Sequence, residues 1–315
     1  MNVAPVNRAI IDAALERADP CPHGCTKGAE MGGRKGLRAA LAAGKCLHPA
    51  SVFDAPTAIL AERIGYEVGI LGGSVAALTV LGAPDLILLT LSEFVEQARR
   101  ICRASALPLM CDADHGYGNA LNVMRAVQEL EAAGVAGMTI EDTLLPRPFG
   151  PAVPGGQVIS RDEAVGKMRA ALAARRDPDL LIVGRSSALE AAGLEEAIGR
   201  ARAFEAAGVD AVMLTGIKRR EELEAVAAAT RGMLMLGQVG PALADDALLA
   251  ANRVCFQIRG HQTYMAALEA AHRTLLAMRQ GTPPGDLAGL AARPLVMQAE
   301  RREEFDRSIA AFLGG

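Results

Sequence analysis

The sequence predicts a closed (β/α)8 barrel of the TIM type, and two observations favour this fold. A unit of helix, glycine and apolar strand repeats along the chain, so that about eight strand patterns alternate with helical ones over roughly 220 residues. The strand patterns are continuously apolar, which is typical of parallel sheets buried on both faces. A doubly wound open sheet is the alternative, although no G-x-G-x-x-G motif follows the first strand.

The repeated unit is clearest in two copies. The motif Glu-Ala-Ala-Gly-Val occurs at 131–135 and again at 205–209, each time just before an apolar run, and a looser copy ends at Gly65. The glycine of each copy is expected to end a helix. A further helix is predicted over Leu91–Ala104, where Thr90 and Glu93 have capping-box spacing. The predicted strands are 46–52, 67–72, 107–112, 137–141, 180–185, 210–214, 233–237 and 254–259.

Two segments fall outside the predicted barrel at 36–283. The first, 1–35, reads as an N-terminal arm rich in Pro and Gly, and its Cys21, His23 and Cys25 match no standard zinc spacing, although they could ligate a metal. The second, 284–315, follows Pro283-Pro284 and contains a predicted final helix. Its apolar face needs a surface to cover, on its own barrel or on a neighbouring subunit. That face carries Phe305, Ile309 and Phe312.

Composition argues against two classes of partner. The net charge of −3 and the pI near 6.0 give no general attraction to nucleic-acid phosphates or anionic lipid. Only 3% of residues are aromatic and Trp is absent, so no base-stacking platform is expected. The apolar stretch Leu78–Leu91 contains Pro84 and Asp85, which rules it out as a membrane span. The sequence therefore predicts no nucleic-acid partner and no membrane.

The cysteines and the N-terminus bear on the compartment. Six cysteines without dense spacing indicate a reducing compartment, and Cys111 is expected to be a buried free thiol. Asp12, Glu16 and Asp19 interrupt the basic-then-apolar order of a signal peptide. We therefore expect a soluble, cytoplasmic protein.

Polar residues follow the predicted strands at their C-terminal ends, where (β/α)8 enzymes carry their working groups. Several of these residues are carboxylates, and a single guanidinium accompanies them. Burying carboxylates together is costly unless a cation neutralises them, and oxygen-only ligands favour Mg²⁺ or Mn²⁺ over zinc. The set is Ser51, Asp54, Gly72, Gly73, Ser74, Asp112, Asp114, Glu141, Asp142, Arg185 and His261.

Two motifs carry a family resemblance. The run Cys-Asp-Ala-Asp-His-Gly-Tyr-Gly-Asn at 111–119, followed by Thr-Ile-Glu-Asp at 139–142, resembles the core motif of the isocitrate lyase/phosphoenolpyruvate mutase superfamily. The similarity covers about residues 36–280 and is denser in the first half. The segments most similar to the oxaloacetate decarboxylase branch are 51–54, 69–75, 90–97, 121–125, 141–145 and 260–261.

The resemblance implies a role for each site residue. Asp112 would bind Mg²⁺ directly, and its waters would be held by Asp85, Asp114 and Glu141. Gly73 and Ser74 would bind the substrate's carboxylate or enolate oxygen, Arg185 would pair with a substrate carboxylate, and His261 would lie over the departing carboxylate. Asp54 is either a further substrate-binding residue or the cap of a helix that starts near Pro56.

The resemblance also implies an activity. The chain would be an Mg²⁺-dependent decarboxylase that converts oxaloacetate, or a 3-substituted relative, through an enolate. The resemblance further implies a homotetramer, a dimer of dimers, in which the C-terminal helix is swapped between subunits. Two alternatives stay open. One is a carbon–carbon lyase or phosphonomutase of the same superfamily, similar to 2-methylisocitrate lyase. The other is a paralogue that binds keto acids without converting them.

Three departures from the superfamily pattern concern the substrate. The lyases carry Lys-Lys-Cys-Gly-His in a loop whose counterpart here, 144–150, has no Cys. A Tyr expected after the seventh strand is replaced by Gly-Gln-Val-Gly at 237–240, and Ser186-Ser187 stands where Thr-Asn is usual. The first departure favours decarboxylation over lysis, and the other two leave the shape of the substrate open.

Overall fold

The computed structural model describes residues 33–314 except 152, 154 and 155, and its centre is a parallel sheet of eight strands in sequence order. The sheet curls until its ends meet, because Leu47, just before the first strand, donates to Cys255 O at 2.8 Å and accepts from Gln257 N at 3.0 Å. This sequential order confirms the predicted barrel and excludes a doubly wound sheet, whose strand order reverses. The strands are β1 (Ala50–Ser51), β2 (Gly69–Leu71), β3 (Leu109–Asp112), β4 (Gly137–Glu141), β5 (Leu181–Ser186), β6 (Ala211–Leu214), β7 (Met233–Leu236) and β8 (Val254–Gln257).

Local signals place the helices around this sheet. The predicted capping box is confirmed, because Thr90 Oγ1 accepts from Glu93 N and Glu93 Oε2 accepts from Thr90 N. Gly65 and Gly208 end their helices with φ of 97° and 99°, which is also as predicted. The helices are α1 (Gly33–Ala42), α2 (Ala55–Ile64), α3 (Gly73–Leu81), α4 (Leu91–Ala104), α5 (Ala120–Ala132), α6 (Arg161–Ala174), α7 (Ala188–Ala192), α8 (Leu194–Ala207), α9 (Arg220–Ala229), α10 (Asp246–Ala251), α11 (Gln262–Arg279), α12 (Arg293–Ala299) and α13 (Arg302–Phe312).

Helix α1 closes the N-terminal end of the barrel. Leu37 and Leu41 join the apolar cluster inside the strands, and Arg38 forms an ion pair with Asp210 at 2.8 Å. The helix begins at Gly33, so the last residues of the predicted arm belong to it. The Cys21, His23 and Cys25 cluster lies outside the described residues.

The cysteines of the described residues bear out a smaller expectation. Cys46, Cys102, Cys111 and Cys255 are free thiols, and Cys111 is fully buried in the core. Within the described ranges, no helix combines the length and the apolar character that crossing a membrane requires.

The C-terminal segment differs from the single final helix that the sequence predicted. Two helices, α12 and α13, follow the turn at Pro284–Asp286, and they are separated at Arg301, whose φ is 53°. The chain turns there because the Arg301 guanidinium donates to Ala104 O at the end of α4. The apolar face of α13 remains exposed, and none of the 18 residues of α11 is buried.

Candidate active site

A sharp turn after β3 presents the first two carboxylates. Asp114 and Tyr117 have φ of 47° and 62°, in the left-handed region that few side chains favour. The turn is held from two sides, because Asp114 O accepts from Glu141 N at 2.8 Å and His115 O accepts from Lys167 Nζ at 3.0 Å. Lys167 is 3% exposed on α6, and its role was not predicted from the sequence.

Asp112 is the best-connected carboxylate of the site. Its Oδ1 accepts from Thr139 Oγ1 at 2.7 Å, and its Oδ2 accepts from Arg185 Nη1 at 2.6 Å. Arg185 Nε lies 3.2 Å from Glu141 Oε2, but its N–H does not point along that line and makes no hydrogen bond. The register of β4 and β5 places Glu141 directly beside Arg185. Thr139 could have been found from the sequence, since it lies two residues before Glu141 and therefore on the same face of β4.

The cluster carries more negative charge than Arg185 can neutralise. Burial, together with the charges of Asp112, Asp85 and Glu141, raises the pKa of Asp114 to about 8. The pKa of Glu141 is raised chiefly by burial, against the lowering effect of Arg185. Asp85 lies on an exposed loop, yet partial desolvation and the charge of Asp112 also raise its pKa. A divalent cation would relieve this repulsion.

The donor set fits a hard divalent cation bound partly through water. All four carboxylates supply oxygen, the ligand atom that Mg²⁺ and Mn²⁺ prefer. In the part of the chain that the structure describes, no group of three or more acidic, His or Cys side chains is arranged to hold a metal ion by side chains alone. Mg²⁺ usually keeps several waters and needs only one or two direct carboxylates. The arrangement therefore suits one direct ligand surrounded by water-holding carboxylates.

The Gly72-Gly73 pair lies between a carboxylate and a histidine. A Cβ on Gly73 would be 2.7 Å from Asp114 Oδ1, and one on Gly72 would be 2.6 Å from His261 Cε1. Only glycine allows this close approach. Gly73 and Ser74 are the first residues of α3, so their N–H groups have no acceptor within the helix. They can donate to an anion in the barrel mouth.

His261 follows β8 and is held by the end of β1. Its Nδ1 lies 2.7 Å from Ser51 Oγ, and Thr263 Oγ1 donates to Ser51 O. Burial lowers the pKa of His261, against the raising effect of Asp112 and Asp85. A hydrogen bond donated by Ser51 Oγ to Nδ1 of the neutral ring would leave the ring proton on Nε2.

Asp54 serves as the helix cap that the sequence offered as its second interpretation. Its Oδ1 accepts from Thr57 N at 2.8 Å and from Thr57 Oγ1 at 2.7 Å. The cap at the start of α2 is confirmed. Its substrate contact remains a prediction.

A buried ion pair joins the end of β4 to α8. Asp142 is 0% exposed, and its Oδ2 accepts from Arg200 Nη1 at 2.9 Å. Arg200 also donates to Ile159 O at 2.7 Å and to Glu196 Oε1 at 2.8 Å. Both ends of the loop 143–158 are therefore tied to α8. The sequence contained a signal for Arg200, because it lies among the buried positions 197, 201 and 204 of α8.

This barrel carries an acidic, oxygen-donor site with one arginine and one histidine at its C-terminal mouth, the place where (β/α)8 enzymes have their active sites. The chain belongs to the phosphoenolpyruvate phosphomutase family, whose sequence model matches residues 37–279. The predicted superfamily is thereby confirmed.

Relatives of similar length carry one name. The chain is 53% identical to "Oxaloacetate decarboxylase" of Rhodopseudomonas palustris (strain BisB18), over 89% of this chain and 97% of the relative. It is 52% identical to "Oxaloacetate decarboxylase" of Bradyrhizobium diazoefficiens, again over 89% of this chain and 97% of the relative.

Solved structures of similar fold agree with the family assignment. Oxaloacetate acetylhydrolase in complex with the product oxalate has a TM-score of 0.78 at 28% identity, covering 90% of this chain and 99% of that one. Phosphonopyruvate hydrolase in complex with oxalate and Mg²⁺ has a TM-score of 0.77 at 29% identity, covering 89% of this chain and 99% of that one.

Proposed function

We propose that this chain is a carboxy-lyase that decarboxylates oxaloacetate, or a 3-substituted relative, in the presence of a divalent metal. One observation carries the proposal: Asp112 and Glu141 both approach Arg185, and Asp114 lies against Gly73, the first residue of α3. The relatives named oxaloacetate decarboxylase, at 52% identity, agree with it.

Mg²⁺ is the cofactor that this donor set favours, with Mn²⁺ as a substitute. Asp112 would hold the ion directly, and Asp85, Asp114 and Glu141 would hold its waters. When bound, the ion supplies Lewis-acid stabilisation of the charge that develops on the substrate's keto oxygen. Arg185, whose Nη1 contacts Asp112 Oδ2 at 2.6 Å, would pair with a substrate carboxylate, because its planar fork suits that contact.

The remaining residues act on the substrate's other oxygens. The N–H groups of Gly73 and Ser74 donate to the carboxylate or to the enolate oxygen as an oxyanion hole. Loss of CO2 requires no base, so His261 would shield the departing carboxylate, and either solvent or His261 would then supply a proton to the enolate carbon. Its contact with Ser51 Oγ orients the ring for this step.

The loop after β4 distinguishes decarboxylation from carbon–carbon lysis. A lyase must deprotonate a hydroxyl group and then protonate the resulting enolate, and residues 144–150 contain no Cys for the second step. A general acid or base contributes typically ~10²–10⁴-fold to a rate. Isocitrate and 2-methylisocitrate should therefore be cleaved at least orders of magnitude more slowly than a β-keto acid is decarboxylated.

A substrate panel tests the proposal. The chain is assayed with Mg²⁺ on oxaloacetate, 3-alkyl oxaloacetates, isocitrate and 2-methylisocitrate, and release of the 2-keto acid is followed. We expect decarboxylation that oxalate inhibits as a planar mimic of the enolate. Fast isocitrate-type cleavage would contradict the proposal. Tight oxalate binding without turnover of any member would instead indicate a keto-acid-binding paralogue.

For the assembly, we propose a homotetramer built as a dimer of dimers. Helix α11 buries none of its residues, and α13 leaves Phe305 and Phe312 61% and 83% exposed. Apolar patches of this kind usually mark interaction surfaces. Light scattering should give the tetramer mass, and a chain that ends at Pro284 should lose the oligomer or precipitate. A stable monomer at micromolar concentration would contradict the proposal.

A further inference from the structure

The barrel mouth has a second region beside the carboxylates. A cavity of about 250 Å³ opens over the ends of β6 and β7. Its wall includes Arg185, Met213, Ile217, Leu236, Gln238 and Val239, but none of the four carboxylates and not His261. Arg185 is thus the shared border between the cavity and the charged cluster.

The cavity wall carries both apolar and polar groups. Met213, Ile217 and Leu236 are buried lining residues, and Arg185, Thr215 and Gln238 supply polar groups. Its volume exceeds that of the ~150 Å³ apolar cavities that bind a benzene ring. The apolar part of this wall suits a hydrocarbon branch of several carbons, because burying apolar surface away from water is favourable.

The order of the strands places this cavity relative to the reacting carbon. Around the mouth, His261 follows β8, Asp112 ends β3, Glu141 ends β4 and Arg185 lies on β5. We call the stretch from His261 to Arg185, together with Asp85 and Asp114, the charged arc. Met213, Ile217, Leu236 and Val239, over β6 and β7, form the apolar arc. It fills the remaining interval, between Arg185 and His261.

Gln238 joins the two arcs. A Cβ on Gly260 would be 3.3 Å from Gln238 Oε1, so the rim of the cavity reaches the residue before His261. In the proposed reaction His261 faces the departing carboxylate, which is attached to C3 of the substrate. A second substituent on C3 therefore has the apolar arc as its nearest open space.

We propose that the apolar arc is a substituent pocket, and that the substrates of this chain are 2-keto diacids with an alkyl branch at C3. The inference rests on the proposed function. In the reaction the bond between C3 and its carboxylate breaks, CO2 leaves, and the bonding electron pair forms the enolate. A proton then adds to C3, which gives the branched 2-keto acid. No oxidant or reductant is required.

A homologous series measures the pocket directly. We expect kcat/KM to rise from oxaloacetate through the 3-methyl, 3-ethyl and 3-propyl compounds by up to about fourfold per methylene, which corresponds to ~0.8 kcal/mol for each buried CH2. A constant or falling series on an enzyme that does decarboxylate oxaloacetate would overturn the pocket while leaving the proposed function in place.

A variant that fills the cavity tests whether the preference for longer branches arises there. A Cβ at Gly237 meets only Met213 Cε, at 3.8 Å, so Gly237→Leu can enter the cavity without backbone strain. It should reduce the ratio of kcat/KM for 3-propyl-oxaloacetate to that for oxaloacetate by tenfold or more, since three methylenes give up to ~50-fold. Gly240→Leu is the matched control, because nothing lies within 4 Å of its Cβ and it does not line the cavity. It should keep the wild-type ratio.

A binding measurement keeps the test independent of turnover. N-propyl oxamate carries its alkyl group at the atom that corresponds to C3, and oxamate lacks it. In calorimetry with Mg²⁺ present, wild type should bind N-propyl oxamate at least tenfold more tightly than oxamate, and Gly237→Leu should abolish that preference. Equal affinities, or a preference that survives in Gly237→Leu, would overturn the proposal even if no keto acid were converted.

Discussion

The charged arc and the apolar arc occupy the same barrel mouth but are built by different means. In the charged arc, Asp112 accepts hydrogen bonds from Thr139 and Arg185, and Glu141 lies beside Arg185. The apolar arc contains only a surface of suitable shape over β6 and β7. The difference indicates that the first arc determines the reaction and the second selects among substrates for it.

The largest expected effect is removal of the metal from the charged arc. We expect EDTA to abolish decarboxylation, and Asp112→Ala to abolish both activity and metal binding. The fold should survive, because Asp112 is only partly buried at the end of β3. Calorimetric titration with Mg²⁺ and circular dichroism provide the two readouts. Full activity in chelator, or in Asp112→Ala, would remove the basis for the charged arc.

A large but incomplete effect is expected at the border of the two arcs. His261→Ala should lower kcat by roughly 10²–10⁴-fold, as the loss of a general acid does, while oxalate binding changes much less. Oxalate mimics the enolate after CO2 has left, so it does not need the group that faces the departing carboxylate. His272→Ala, on the exposed surface of α11, is the control. Equal losses in kcat and in oxalate affinity would make His261 a binding residue.

The two arcs were not equally accessible from the sequence. Asp112, Asp114 and Glu141 stand in a dense motif, and their positions at strand ends follow from the apolar strand pattern. The cavity could not be predicted, because its wall consists of ordinary apolar residues whose spacing does not distinguish a pocket from a packed core. The split of the final helix at Arg301 was also missed, since it depends on a contact with Ala104 O, 197 residues away in sequence.

A stability effect of intermediate size is expected beneath the charged arc. Arg200→Met would leave Asp142, which is 0% exposed, as a buried charge without its partner. Breaking such a pair costs about 3–5 kcal/mol. Urea unfolding should show this loss, whereas Arg125→Met, in an exposed pair with Glu129, should cost less than ~1 kcal/mol. Similar losses in both variants would mean that burial does not make the Arg200–Asp142 pair more important to stability than an exposed pair.

The smallest expected effect tests whether Thr139 orients Asp112, the proposed metal ligand of the charged arc. Thr139→Val keeps the shape of a side chain that is 2% exposed but removes the hydroxyl that donates to Asp112 Oδ1. Loss of a group that orients a metal ligand typically lowers metal affinity by ~10–100-fold. We therefore expect the Mg²⁺ concentration for half-maximal activity to rise about tenfold, with kcat at saturating Mg²⁺ nearly unchanged. Thr79→Val is the control, because its hydroxyl bonds Val75 O and Gln97, away from the carboxylates. An unchanged Mg²⁺ requirement in Thr139→Val would show that Arg185 alone orients Asp112. A fall in kcat that excess Mg²⁺ does not restore would place Thr139 among the residues that contact the substrate.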